Sequence, residues 1–134
     1  MFMFQIEFET ECFYVEIQII NEMTRQEFKE AVFGVTKGKC CVPGCTCDAV
    51  DAHHILNRHL WNDYGYRLSN GAALCEKHHL DAEFGRITPR QCLEYMGVNK
   101  EDIEMPEAFN DIMTQNEYID FLMNDEINVN GELL

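Results

Sequence analysis

Apolar and polar residues alternate near the start of the chain. Phe4, Ile6 and Phe8 form one such run, and Phe13, Val15, Ile17 and Ile19 form a second, with Thr10-Glu11 between them. A period of two is the signature of a strand with one buried face, so residues 3–20 are expected to form a β-hairpin. The period then lengthens. Thr24 and Glu27 have the spacing of a capping box, and Met23 and Phe28 that of a hydrophobic staple. The helix they open is expected to run to about Phe33, burying Phe28, Ala31 and Val32, with a break over Gly34 to Gly38. Asp48 to Leu56 and Arg67 to Leu74 read as two extended pieces. Asn57 to Tyr66 is the loop between them, with Trp61, Tyr64 and Tyr66 among polar residues. A helix is expected from Cys75 to about Phe84, and another from Thr88-Pro89-Arg90-Gln91 to Gly97, since proline suits a first helical turn. Pro106 and Thr114-x-x-Glu117 should open two short helices, the second burying Ile119, Phe121 or Leu122. The pattern is α+β, without internal repeats.

Size and charge narrow this reading. A chain of 134 residues suits one domain with terminal additions. Apolar runs are all shorter than the roughly 18 residues that span a bilayer. Met1-Phe-Met-Phe is followed at once by Glu7, Glu9 and Glu11, which does not fit a secretory signal, so an intracellular, cytoplasmic protein is expected and no membrane partner. Four of the seven cysteines crowd at Cys40, Cys41, Cys45 and Cys47, with Cys12, Cys75 and Cys92 scattered. An odd, clustered set beside histidines points to a metal in a reducing compartment rather than to a disulfide framework. The net charge of −14 is unevenly spread: residues 1–35 carry −5, residues 36–100 carry +1 and residues 101–134 carry −10. Such an acidic run is first of all a solvated face. It could also bind a basic protein partner, or restrain non-specific nucleic-acid binding.

The near-neutral middle holds the chemistry. Asp51-Ala-His53-His54-Ile55 is followed by Asn70 and by Leu74-Cys75-Glu-Lys-His78-His79, with Glu83 one helical turn beyond His79. An imidazole with a pKa near ~6.5 can take a proton from water at neutral pH. A divalent cation can hold a phosphate oxygen and stabilise charge on the departing one. Together these need one unligated histidine beside a ligated group, which His53-His54 could supply. A regular strand points neighbours to opposite faces, so a shared site would require a twist or bulge there. His59 is expected to be an ordinary exposed or core histidine. Cys75-x-x-His78 is a two-ligand zinc knuckle whose other half must come from the upstream cluster.

The segment from Cys40 to Glu83 resembles the HNH endonucleases, and within them the zinc-knuckle branch. The resemblance implies a ββα-metal, treble-clef-like finger over residues 36–97, preceded by the hairpin and helix of 1–35 and followed by an acidic helical segment over 98–134. It further implies His53 and His79 as ligands of one catalytic divalent ion such as Mg²⁺, with Glu83 standing where some members have a second helix histidine. His54 would be the general base and Asn70 the residue that holds the loop and the base in orientation. For structural Zn²⁺ it implies Cys40 and Cys45, from the Cys-x-x-Pro-Gly-Cys phrase, with Cys75 and His78; His78 stands where a cysteine is more common. Cys41 with Cys45, or a pair using Cys47, remains sterically open.

The function expected is hydrolysis of a phosphodiester in nucleic acid, DNA before RNA, leaving a 3′-hydroxyl and a 5′-phosphate. Arg58, Arg67, Lys77, Arg86 and also Arg90 are candidates for phosphate contacts, although each could be an ordinary surface base. Trp61, Tyr64 and Tyr66 could stack on unpaired bases, but covering the core is their expected role. A non-catalytic zinc module that binds nucleic acid or protein is the first rival, and it would need neither His54 nor Asn70. The second is a nuclease subunit that relies on a basic partner.

Overall fold

A computed structural model describes residues 23–134; the hairpin expected over residues 3–20 lies outside them. The described part is α+β, with a two-stranded antiparallel sheet and four α-helices. Helix α1, Arg25–Thr36, starts as the sequence requires. Thr24 Oγ1 accepts from the Glu27 amide at 3.1 Å, and Glu27 Oε1 accepts from the Thr24 amide at 2.9 Å. It buries Phe28 and Val32, whereas Ala31 is only half-buried. The helix runs on through Gly34 and stops at Lys37, which takes a left-handed φ of 56° and donates its amide to the Phe33 carbonyl. A mid-helix glycine costs only about 1 kcal/mol against alanine, too little to end a helix anchored by Phe28 and Val32.

Strand β1, Asp51–His54, pairs with β2, Gly71–Leu74, in unbroken register from Asp51 opposite Leu74 to His54 opposite Gly71. The second extended piece is thus shorter than expected, because Leu68–Asn70 winds into a 3-10 turn that puts the Asn70 side chain to use inside. Helix α1 lies directly on β2. A Cβ on Gly71 would run into Val32 and Phe28, so only glycine lets the helix approach this closely.

Helix α2, Glu76–Glu83, follows β2 at once with Cys75 as its N-cap, and α3, Pro89–Tyr95, opens on a Thr88/Gln91 capping box. Helix α4, Gln115–Met123, opens on Thr114/Glu117 and buries Tyr118 and Leu122; Ile119 and Phe121 are only partly covered. Pro106 starts a single 3-10 turn, Glu107–Phe109, and not an α-helix. The chain turns there once Phe109 is buried.

One buried cluster joins Phe28, Leu56 and Leu74 to Phe109, Tyr118 and Ile127. The acidic segment after residue 98 therefore shares its core with α1, β1 and β2, and its charge is carried on the outer face. Residues on both sides of 97/98 contribute to this one cluster. No helix among the described residues is long and apolar enough to cross a membrane.

Candidate functional site

Two neighbouring groups of side chains meet on the β1–β2–α2 unit. The first is a Cys3His cluster. Cys40 and Cys45 come from the turn after α1, and Cys75 and His78 from the first turn of α2. One ligand atom from each lies within 4.8 Å of all the others. His78 Nδ1 stands 3.4 Å from Cys40 Sγ and 3.2 Å from Cys75 Sγ, and Cys45 Sγ is 4.0 Å from Cys75 Sγ. A tetrahedral zinc with Zn–S near ~2.3 Å and Zn–N near ~2.05 Å sets S···S at roughly 3.8 Å and S···N at roughly 3.6 Å. The cluster matches those separations, so it could hold a metal such as zinc.

The backbone is arranged for the cluster. Lys39 and Asp48 form an antiparallel bridge and an ion pair of 2.6 Å at its base, and the Cys45 amide closes a turn on the Val42 carbonyl at 3.0 Å. Burial pushes the Cys40 thiol up to about 11, while the Cys47 backbone amide favours the Cys45 thiolate. Cys41 and Cys47 lie outside the gathered set. All six described cysteines are free of disulfides.

The second group lines a cleft of about 790 Å³ between α1, β1 and α2. In the regular strand His53 and His54 point to opposite faces, and there is no bulge to bring them together. His53 is buried, with its ring edge-on to that of His79 at 5.4 Å between centroids. His79 Nε2 lies 3.2 Å from Glu83 Oε1 and 3.4 Å from Asp51 Oδ2. Asp51 is the member that the sequence reading did not assign. Its place two residues before His53, on the same face of the strand, is the signal that could have found it. Burial, and then the neighbouring His79 and His54, drive the His53 pKa down to about 3. Burial also lowers that of His54, against the pull of the Tyr64 backbone. Both rings are neutral at pH 7, the state that a ligand or a base needs.

Imidazoles and carboxylates suit a divalent ion. Even so, His53, His79, Glu83 and Asp51 are not drawn together as the Cys3His set is, which among the described residues is the one group at metal-binding separations. On the other face of β1, the His54 ring stacks on Phe28 at 5.1 Å and tilts against Tyr66 at 5.5 Å. Its Nε2 is buried without a hydrogen-bond partner.

Asn70 fixes the loop that covers His54. Its Oδ1 accepts from the Leu56 amide at 2.9 Å, and its Nδ2 donates to the carbonyls of Leu56 at 3.1 Å and Gly65 at 3.3 Å. Gly65, at φ 70°, has no room for a side chain; a Cβ would meet Asn70 Nδ2 at 2.7 Å and Trp61 Cδ1 at 2.8 Å. Tyr64, next to it, presents the carbonyl that favours a proton on His54.

The candidate phosphate contacts divide. Arg58 lines the cleft. Arg67 does not, being engaged with Asp63, Glu104 and Glu107 and lying over the Trp61 ring at 4.6 Å. Lys77 and Arg86 pair with Asp81, and Arg90 pairs with Glu94 and Asp125. Arg25 and Lys29 of α1 line the cleft with Arg58, and none of the three has an ion-pair partner among the described residues. Nothing in the local sequence marks Arg25 or Lys29 for this role, since only the packing of α1 on the sheet brings them there. His59 is exposed, as expected of a surface histidine. Comparison with protein-family models, with curated proteins and with solved structures found no match to this chain.

Proposed function

We propose that this protein is a metal-dependent endonuclease of the HNH type, built on a ββα-metal finger, that hydrolyses phosphodiester bonds in nucleic acid, with DNA as the expected substrate. The observation that carries the reading is the cleft. Its lining includes His53 and His79 with two carboxylates, His54 from the other face of β1, and three cations that have no described ion-pair partner. In a chain of net charge −14, these cations are the ones placed to receive a phosphate.

His53, His79 and Glu83, with Asp51, would hold the catalytic ion, which when bound supplies charge stabilisation at the phosphate. His54 takes the proton of the attacking water as its oxygen adds to phosphorus. The P–O3′ bond breaks and the 3′-oxygen is protonated, leaving a 3′-hydroxyl and a 5′-phosphate. Asn70 keeps the Tyr64-Gly65 backbone against His54, so the ring is held in one orientation. Zinc in the Cys3His cluster would fix α2, and with it His79, against β1.

The test is cleavage of plasmid and single-stranded substrates with Mg²⁺, Mn²⁺ or Ni²⁺ by wild type and His54→Ala. One observation favours a second reading, a non-catalytic zinc module: only the Cys3His set stands at metal-binding separations among the described residues. Wild-type protein that cleaves nothing with any of these ions would select it.

A further inference from the structure

Of the three aromatic residues in the loop from Asn57 to Tyr66, two are accounted for by packing. Trp61 is buried beneath Arg67, and Tyr66 is wedged against Phe28 and His54. Tyr64 is not: its side chain is 61% exposed, and Tyr66, at 6.4 Å between ring centroids, is its one aromatic neighbour among the described residues. It also sits at φ 62°, a conformation that glycine or asparagine takes easily and a bulky aromatic residue takes at a cost. The fold thus carries a tyrosine where a turn alone would favour a smaller residue, and its ring adds nothing to the core. Tyr66 lies between it and the candidate base, 6.4 Å from the Tyr64 ring and 5.5 Å from the His54 ring between centroids.

We propose that the cleft takes a nucleic-acid strand with an unpaired base next to the scissile phosphate, the base stacking on Tyr64 while Arg25, Lys29 and Arg58 carry neighbouring phosphates. This rests on the nuclease reading and narrows its substrate. A duplex hides its base faces in the stack, whereas an unpaired base offers a π-face that any aromatic ring can cover. Charge complementarity selects the occupant: the chain is strongly acidic, and three cations without a described ion-pair partner, Arg25, Lys29 and Arg58, line the cleft that Tyr66, the ring next to Tyr64, helps to wall.

The test uses the full chain, loaded with zinc and without added catalytic ion. Fluorescence anisotropy at low salt would compare a short single-stranded DNA, the RNA of the same sequence and the DNA duplex. Wild type should bind at least one single strand more tightly than the duplex, and the preferred strand identifies the sugar. Tyr64→Asn, chosen because asparagine tolerates the left-handed backbone, should weaken single-strand binding about 5- to 150-fold and leave duplex binding unchanged. Tyr64→Phe should keep the affinity. Tyr64→Gly gives the same comparison should the asparagine variant fold poorly. Equal binding of duplex and single strands by wild type, or unchanged single-strand affinity in both variants, would overturn the inference. If plasmid cleavage still depends on His54 in that case, the nuclease reading stands without it. If no nucleic acid is bound at all, both fall.

Discussion

Replacing Asn70 by alanine tests whether this side chain is the clasp of the site. Asn70 is 3% exposed and satisfies three backbone groups: the Leu56 amide, the Leu56 carbonyl and the Gly65 carbonyl. Leu56 is 1% exposed and Gly65 is buried, so water has little access to replace the lost partners. The Gly65 carbonyl keeps the Arg67 amide at 2.8 Å, so the two Leu56 groups are left unpaired at about 1–3 kcal/mol each, and Asn70→Ala should cost about 2–6 kcal/mol. That is a large part of the roughly 5–15 kcal/mol that holds a domain of this kind together.

Asn70→Asp is the informative control. It keeps the acceptor for Leu56 but sets a carboxylate oxygen against two carbonyls. Its carboxyl pKa should therefore be raised in the folded state, so the variant should regain stability as pH falls through that value and lose it as pH rises. Trp61 is the only tryptophan, is buried and lies against Gly65, so its fluorescence during urea unfolding of zinc-loaded protein reports the region directly. A loss below about 1 kcal/mol for Asn70→Ala, or wild-type stability for Asn70→Asp at pH 8, would refute the bonding account.

Elemental analysis should find about one zinc per chain, absent from Cys75→Ser and retained in Cys47→Ser; its affinity should fall with pH, because the Cys40 thiol, pushed up to about 11, must give up its proton to bind. His54→Ala should slow cleavage by about 10²–10⁴-fold yet bind the catalytic ion as wild type does, whereas His53→Ala and His79→Ala should lose affinity for that ion in calorimetry. Without the catalytic ion, His53 has a pKa near 3 when folded and near 6.5 when unfolded, so the unfolded chain binds the extra proton between those values. Stability should then fall by about 1.4 kcal/mol per pH unit below 6.5, a slope that urea titrations should find flattened in His53→Gln. Truncation after Asn99 should abolish cooperative unfolding by circular dichroism, since it removes Phe109, Tyr118, Leu122 and Ile127 from the shared core.

The capping boxes at Thr24, Thr88 and Thr114 were legible because they are local: donor and acceptor lie three residues apart. The Cys3His set was legible for a similar reason, as each half is a short spacing, although only the fold shows that Cys40 and Cys45 meet Cys75 and His78 rather than Cys41 or Cys47 doing so. What the sequence hid depends on long-range packing. Arg67 looks like any basic residue until three carboxylates from two other segments close on it. Arg25 and Lys29 reach the cleft because Gly71 admits α1 against β2. Helix α1 runs through Gly34, where local propensity alone predicts a break, because Phe28 and Val32 anchor it in the core.

His78 and His79 are consecutive residues of α2, one turned to the Cys3His cluster and the other to the cleft. With zinc in the cluster and a catalytic ion in the cleft, as proposed, that adjacency would make the cleft answerable to metal supply. A cell short of zinc would still make the chain, and would still have abundant magnesium, but the helix that presents His79 would lack its anchor. The two metals would then act in sequence: scarce zinc would set how many molecules become competent, and plentiful magnesium would serve only those. Recombinant protein made in zinc-depleted medium should accordingly be deficient in a way that adding magnesium to the assay does not repair, while zinc added during refolding does.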